Sequence, residues 1–297
     1  MTPAEREALI REGMRVAQTA MENLDEAGEV ELQRIYRQAS ADLRALIENH
    51  AGPDGSIGLA QLRDLLDQVE SRMDQLSVTR DATLDSGLRV ASELGAQPFL
   101  RTEVDTPALM RVPDEALRFV RAFVGADGLQ LSDRLWRIDR GARDAVVNAV
   151  ERSVVMGHGA AQAAAEFLRN GLPVPGDVRD KLNAAGAVGM GREATEIMTG
   201  GRAGGGAMAQ AQRVFRTEIN RAHGVAYMSQ AEKTPGFKGF RFTLSPAHPK
   251  PDICDELAAA DKFGLGEGVY PSMAEFLKIW PAHPNTLSFP VGVFGSP

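Results

Sequence analysis

Between His248 and His283 the chain gathers its most chemically capable side chains. His248, Asp252, Cys254, Asp255 and Asp261 fall within fourteen positions, and His283 follows in the segment PAHPNTLSF. Three chemistries suit these residue types. His248, Cys254 and His283 are good zinc ligands, although their spacing matches no finger pattern and only three strong ligands are in view. Cys254 and His283, with Asp252 as orienter, are the ingredients of a thiol hydrolase, but no nucleophile signature surrounds the cysteine. The third reading is a structural knot. Both histidines precede proline, proline-anchored loops have few backbone hydrogen bonds of their own, and buried amides and carbonyls still need partners. Side chains that both donate and accept, such as His and Asn, can supply them. The knot fits the proline content best. No catalytic residue and no cofactor are therefore expected, and zinc is the one ion that His248, Cys254 and His283 would suit.

A helix must position this segment, and RVFRTEINRAHGVAY supplies it. Arg216, Asn220, His223 and Tyr227 share a face at spacings of four, three and four, while Glu218 and Arg221 stand three apart and can pair. Such a face reads first as a buttress for the strands that follow. The expected knot is then Arg216, Glu218, Asn220, His248, Asp252, Cys254 and His283, with the two histidines close together on loops gathered against the helix.

The elements around it divide at composition shifts. Leu32, Tyr36, Ala39, Leu43 and Leu46 follow a 4-3-4-3 spacing, the stripe of a packed helix. HAGPDGSIG breaks it, and Leu59, Leu62, Leu66, Val69, Met73 and Leu76 mark a second helix, so an antiparallel hairpin is expected. Residues 97–113 read as irregular, with Pro98, Pro107 and Pro113 as breakers, before a short helix over 114–124. Ser132 reads as the cap of a long helix that the Gly157-His158-Gly159 run interrupts, with weaker helix over 178–198. Trp136 and Trp280 read as packing anchors. GGRAGGG, residues 200–206, is a linker with five glycines. A last helix, 208–233, follows. Nine of the sixteen prolines then lie between Pro235 and Pro297, where helix gives way to strands and ordered loops. Phe240, Phe242 and Leu244 alternate with polar residues as in a half-buried strand, and Leu287, Phe289, Val291 and Val293 do likewise, with Pro290 placing that strand at an edge. The expected fold is mainly α: a helical region over 1–199, the linker 200–206, and a small α+β module over 207–297.

Charge and cysteine content narrow the function classes. The net charge of −7 resides in the first part: residues 1–206 hold 24 basic and 32 acidic side chains, and residues 207–297 hold 9 and 8. An acidic surface does not neutralise phosphates, so the long helical part is expected to meet proteins rather than coat DNA. A single cysteine allows no intramolecular disulfide, which fits assembly in a reducing cytoplasm. No stretch of about 18 apolar residues exists, so no membrane span is expected. The N-terminus lacks the apolar core of a signal peptide. The glycine-rich stretches match neither a phosphate loop nor a dinucleotide fingerprint.

Arg216-Thr217-Glu218, the strand Phe240 to Leu244, Asp252-Ile253-Cys254, the stretch Gly264 to Gly268 and Pro281-Ala282-His283-Pro284 occur in that order. In this the last 90 or so residues resemble the head-morphogenesis (phage Mu F-like) family of phage minor head proteins. Many relatives continue the last motif as His-Pro-x-Cys-Arg-Cys and carry a second Cys after the first. Here Asn285, Thr286, Leu287 and Ser288 follow Pro284, and Asp255 and Glu256 follow Cys254, which weakens a metal reading. The resemblance implies a virion protein present in few copies, assembled in the host cytoplasm and placed inside the head near the portal vertex. Its implied partners are portal or major capsid protein, with contact to packaged DNA during delivery. The alternative is a hydrolase or a zinc-dependent binding module centred on Cys254, His283 and Asp252.

Overall fold

The helical periodicity of the first two thirds is realised as long helices. The computed structural model describes all residues except Asp54, 103–108, Ala126, 202–204, Pro246, Ala247, Pro249, Lys250, Ser296 and Pro297. Among the described residues there are nine helices: α1 (Pro3–Asn49), α2 (Leu59–Ala96), α3 (Val112–Ala122), α4 (Leu131–Arg169), α5 (Gly176–Ala185), α6 (Ala187–Thr199), α7 (Gly206–Ala231), α8 (Ile253–Ala259) and α9 (Met273–Phe276). A 3-10 turn, Gln97–Phe99, follows α2. Three short strands, β1 (Phe237–Thr243), β2 (Val269–Tyr270) and β3 (Phe289–Phe294), form an antiparallel sheet in the order β2-β1-β3. The chain is mainly α with a small α+β end, as its periodicity and proline distribution predict. None of the described helices is long and apolar enough to cross a membrane.

Several local expectations are corrected. Gly157-His158-Gly159 does not interrupt α4, which runs unbroken through it. Helix α4 begins at Leu131 rather than after Ser132, and the Asp133 carboxylate accepts from the Gln130 amide just ahead of it. Trp136 is no anchor: it is exposed, with the Arg140 guanidinium 5.0 Å from its ring centre. Pro113 lies in the first turn of α3, where its missing amide costs nothing. Pro107 and the centre of the glycine-rich segment, 202–204, lie outside the described residues.

The contacts sort into two compact units, each built from separated stretches: Met1–Glu29, Thr83–Arg134 and Gln212–Pro297 in unit 1, and Val30–Ala82 with Leu135–Ala211 in unit 2. This differs from a division at residues 200–206. Glycine marks local backbone freedom, whereas a unit is set by which apolar faces bury one another, and the N-terminal segment buries its face with the C-terminal one.

In unit 2 the second half of α1 runs antiparallel to the first part of α2. Asp42 pairs with Arg72, and His50, just past the end of α1, meets Asp64 at 3.0 Å. His50 Nδ1 also lies 2.8 Å from the Leu46 carbonyl, which accepts the His50 backbone amide as well. The buried stripe runs Leu32, Tyr36, Ala39, Leu43, Ile47 on α1 and Leu65, Val69, Met73, Leu76 on α2. Ile47 and Leu65 therefore take the core places expected for Leu46 and Leu66. In a run of adjacent apolar residues the tertiary partner, not the spacing, decides the phase.

In unit 1 one core joins Ile10 and Met14 of α1, Ala96, Phe99, Val112 and Ala116 with Val225, Tyr227 and Met228 of α7, Phe240 and Phe242 of β1, and Phe276 and Trp280. The strand β1 points Phe240 and Phe242 inward and leaves Arg241 exposed, which is the expected alternation. β3 shows no such alternation: Pro290 is buried, its other five residues are half-buried, and Leu287, just before the strand, is exposed. The α7 contacts with α1 and α2 are made through glycine. A Cβ on Gly28 would stand 2.1 Å from the Phe215 ring, and one on Gly87 would stand 2.7 Å from it. Those two glycines form the slot that Phe215 fills. Phe215→Ala should therefore lower unfolding stability by about 3–5 kcal/mol, the usual loss for emptying a buried aromatic site. Urea unfolding checks this, and a loss under about 1 kcal/mol would show that the slot collapses without cost.

Candidate functional site

The short helix α8 fixes the centre of the site. Asp252 is its N-cap: its Oδ1 accepts from the Cys254 amide at 2.7 Å, and the Asp255 carboxylate accepts from the Asp252 amide at 2.7 Å. This reciprocal capping box holds both carboxylates and the thiol in fixed relation. The Cys254 amide keeps the Asp252 carboxyl below the usual carboxylate range, and the Asp252 amide followed by His248 does the same for Asp255. His248 Nε2 lies 2.9 Å from Asp255 Oδ2 and 3.8 Å from Asp252 Oδ1.

From the other side comes the loop between α9 and β3. His283 Nε2 lies 3.3 Å from Cys254 Sγ and 3.1 Å from Asp252 Oδ2. The Thr286 and Ser288 hydroxyls, 2.7 Å apart, lie 3.6 and 3.9 Å from the same sulfur. Cys254 is buried, and burial pushes its thiol up from the ordinary range. His283 Nδ1 is 2.9 Å from the Pro284 carbonyl oxygen, which can only accept, so Nδ1 carries a proton. A neutral ring would then turn its Nε2 lone pair toward a carboxylate and a sulfur. The Cys254 thiol, 3.3 Å away, can donate its S–H to that nitrogen.

Helix α7 holds the loop in place. Asn220 Nδ2 donates to the carbonyls of Thr286 and Ser288 at 3.0 and 3.1 Å, and Thr217 Oγ1 accepts from the Asn285 amide at 3.1 Å. Trp280 donates its indole N–H to the Ser288 carbonyl at 2.9 Å and lies against Gly224, where a Cβ would stand 2.3 Å from the ring. Asn285 adopts the left-handed region with φ 66°, a conformation Asn tolerates better than most residues.

Of the seven expected residues, Asp252, Cys254, His248 and His283 come together; the two histidines meet opposite oxygens of the Asp252 carboxylate. Asn220 joins them through the loop. Arg216 and Glu218 do not. Arg216 pairs with Asp25 at 2.8 Å and Glu29 at 3.2 Å on α1, beside a groove of about 420 Å³ also lined by Asn220, His223 and Leu287. Glu218 is buried with Arg221, as their spacing suggested, and its second partner is Arg134 at 3.0 Å. Sequence reading missed Thr286, Ser288 and Thr217. Hydroxyls in a TLS stretch carry no signal until the loop is seen to close over the thiol. The Asp252–Asp255 capping box was not read from the sequence either.

A scan against protein-family models and searches of curated proteins and of solved structures yield no match to the chain.

Two outcomes follow. His223 on α7 is wholly buried and its Nε2 has no partner; burial pushes its pKa down to about 4 from 6.5. The unfolded chain takes up that proton near 6.5 and the folded chain only near 4. Stability from this group is complete above 6.5 and is lost as pH falls from 6.5 to 4, roughly 3 kcal/mol at 1.36 per unit. His223→Leu should flatten the stability profile over that window relative to wild type, and an unchanged slope would contradict the assignment. At the loop, Asn285→Gly should be near neutral while Asn285→Val should cost roughly 1–2 kcal/mol of stability, the penalty for a branched residue in left-handed backbone. Equal denaturation midpoints for the two variants would remove the loop argument.

Proposed function

We propose that this chain is a minor head protein of a tailed phage, a member of the head-morphogenesis (Mu F-like) family, acting in head assembly at or near the portal vertex. The observation that carries the reading is convergence. The Arg-Thr-Glu helix, the Asp-x-Cys segment and the Pro-x-His-Pro loop are each weak signals in sequence, yet Thr217, Asp252, Cys254 and His283 belong to one connected set of contacts. A motif set kept together by geometry supports common descent better than the same letters scattered over a surface. On this reading the acidic helices meet portal or major capsid protein, and contact with packaged DNA falls to the nearly neutral residues 207–297. The protein assembles in the host cytoplasm and resides in the virion.

A thiol hydrolase is the weaker reading. Nucleophile and orienter normally face opposite ring nitrogens of the histidine. Here Cys254 and Asp252 both face Nε2, while Nδ1 is engaged by a backbone carbonyl. The raised thiol is also the opposite of an activated nucleophile. The test of the assembly role is direct: co-expression with the portal and major capsid proteins of the same phage, followed by mass spectrometry of purified heads. The chain should co-purify with portal protein and be present in few copies per head. Heads that assemble and package normally without it, and never contain it, would overturn the proposal.

A further inference from the structure

We infer that Asp252, Cys254 and His283 form a zinc site with one open coordination position. Three donors of different type converge: Asp252 Oδ2, Cys254 Sγ and His283 Nε2 all lie within 4.8 Å of one another. With ordinary bond lengths to zinc, a tetrahedral arrangement places N and O about 3.3 Å apart and N and S about 3.5 Å apart. The distances here are 3.1 and 3.3 Å. Both measured edges are within about 0.2 Å of those values, and the third, between Cys254 Sγ and Asp252 Oδ2, is under 4.8 Å. The surroundings match the demands of such a site. His283 Nδ1 is clamped on the Pro284 carbonyl, which fixes the tautomer that offers Nε2 as a ligand. Asp252 Oδ1 is engaged by the Cys254 amide, leaving Oδ2 free to coordinate. The Thr286 and Ser288 hydroxyls can donate to the sulfur, which favours a thiolate. A mixed sulfur, nitrogen and oxygen set with a tetrahedral edge length selects zinc over magnesium or calcium. The fourth position takes water or a donor from a bound partner. His248 is hydrogen-bonded to Asp255 and lies 3.8 Å from the far oxygen of Asp252, outside the set.

The experiment uses the full chain, stripped with a chelator, dialysed and titrated with zinc against a chromophoric competitor. One zinc per chain is expected. Cys254→Ser and His283→Ala should each weaken binding at least about 100-fold, more than loss of an outer-shell partner costs. Asp252→Asn keeps an equivalent N-cap and so preserves α8 while removing the charged ligand; it too should weaken binding. His158→Ala, on the exposed surface of α4, should bind as wild type. Circular dichroism of each variant shows whether the fold survives. Cobalt in place of zinc should give thiolate charge-transfer absorption that Cys254→Ser lacks. The inference is overturned if the wild-type chain takes up no stoichiometric zinc, if folded Asp252→Asn and Cys254→Ser bind it unchanged, or if the cobalt spectrum shows no thiolate band. The site stands on this geometry alone, so any of those results leaves the proposed role in head assembly untouched.

Discussion

Unit 1 is organised by a helix whose C-terminal half has no solvent face. From Arg221 to Ala231 every residue of α7 is buried apart from the half-buried Ser229. A helix buried all round must be apolar or small all round, or satisfy its polar groups internally. Helix α7 does both. Ala222, Gly224, Val225, Ala226 and Met228 pack, with Gly224 admitting the Trp280 ring. Glu218, Arg221 and Arg134 answer one another as a buried ionic group, completed by Arg221 over the Phe123 ring at 4.3 Å. Tyr227 accepts from the Gly292 amide at 3.0 Å and so ties β3 to the helix.

The chemistry of the site follows from that burial. Because α7 is fixed, Asn220 and Thr217 can hold the Thr286–Ser288 loop at defined distances, and Trp280 is locked between Gly224 and the Ser288 carbonyl. The loop in turn places His283 over the N-terminus of α8, whose capping box has already set Asp252 and Cys254. The bonds that tie the loop to α7 and His283 to Cys254 join segments far apart in sequence, so the site is only as rigid as the helix beneath it.

What was legible in the sequence divides along the same line. Helix and strand identity came from periodicity that each segment carries within itself, and the alternation of Phe240 and Phe242 survived intact. The four residues of the thiol region were legible because His and Cys are rare in this chain and stand with Asp in a proline-rich stretch. Phase was not: Ile47 and Leu65 displaced their apolar neighbours because only a packing partner distinguishes adjacent apolar residues. The partners of Arg216 and Glu218 were not legible either. Asp25 and Arg134 lie 191 and 84 positions away, and an isolated charge on a helix announces no partner. The glycine-rich segment suggested a boundary, but the apolar faces that define unit 1 come from both ends of the chain.

The central structural claim is that α7 is the frame on which the motif segments are assembled. Native-state amide hydrogen exchange tests it most directly, because exchange of deeply buried helix amides requires opening of the whole unit. The slowest amides should lie between Ile219 and Ala231, and those of Cys254 and Asn285 should exchange only as that helix opens. Fast exchange across Ile219–Ala231, or a loop over 283–288 that stays protected while α7 opens, would contradict it.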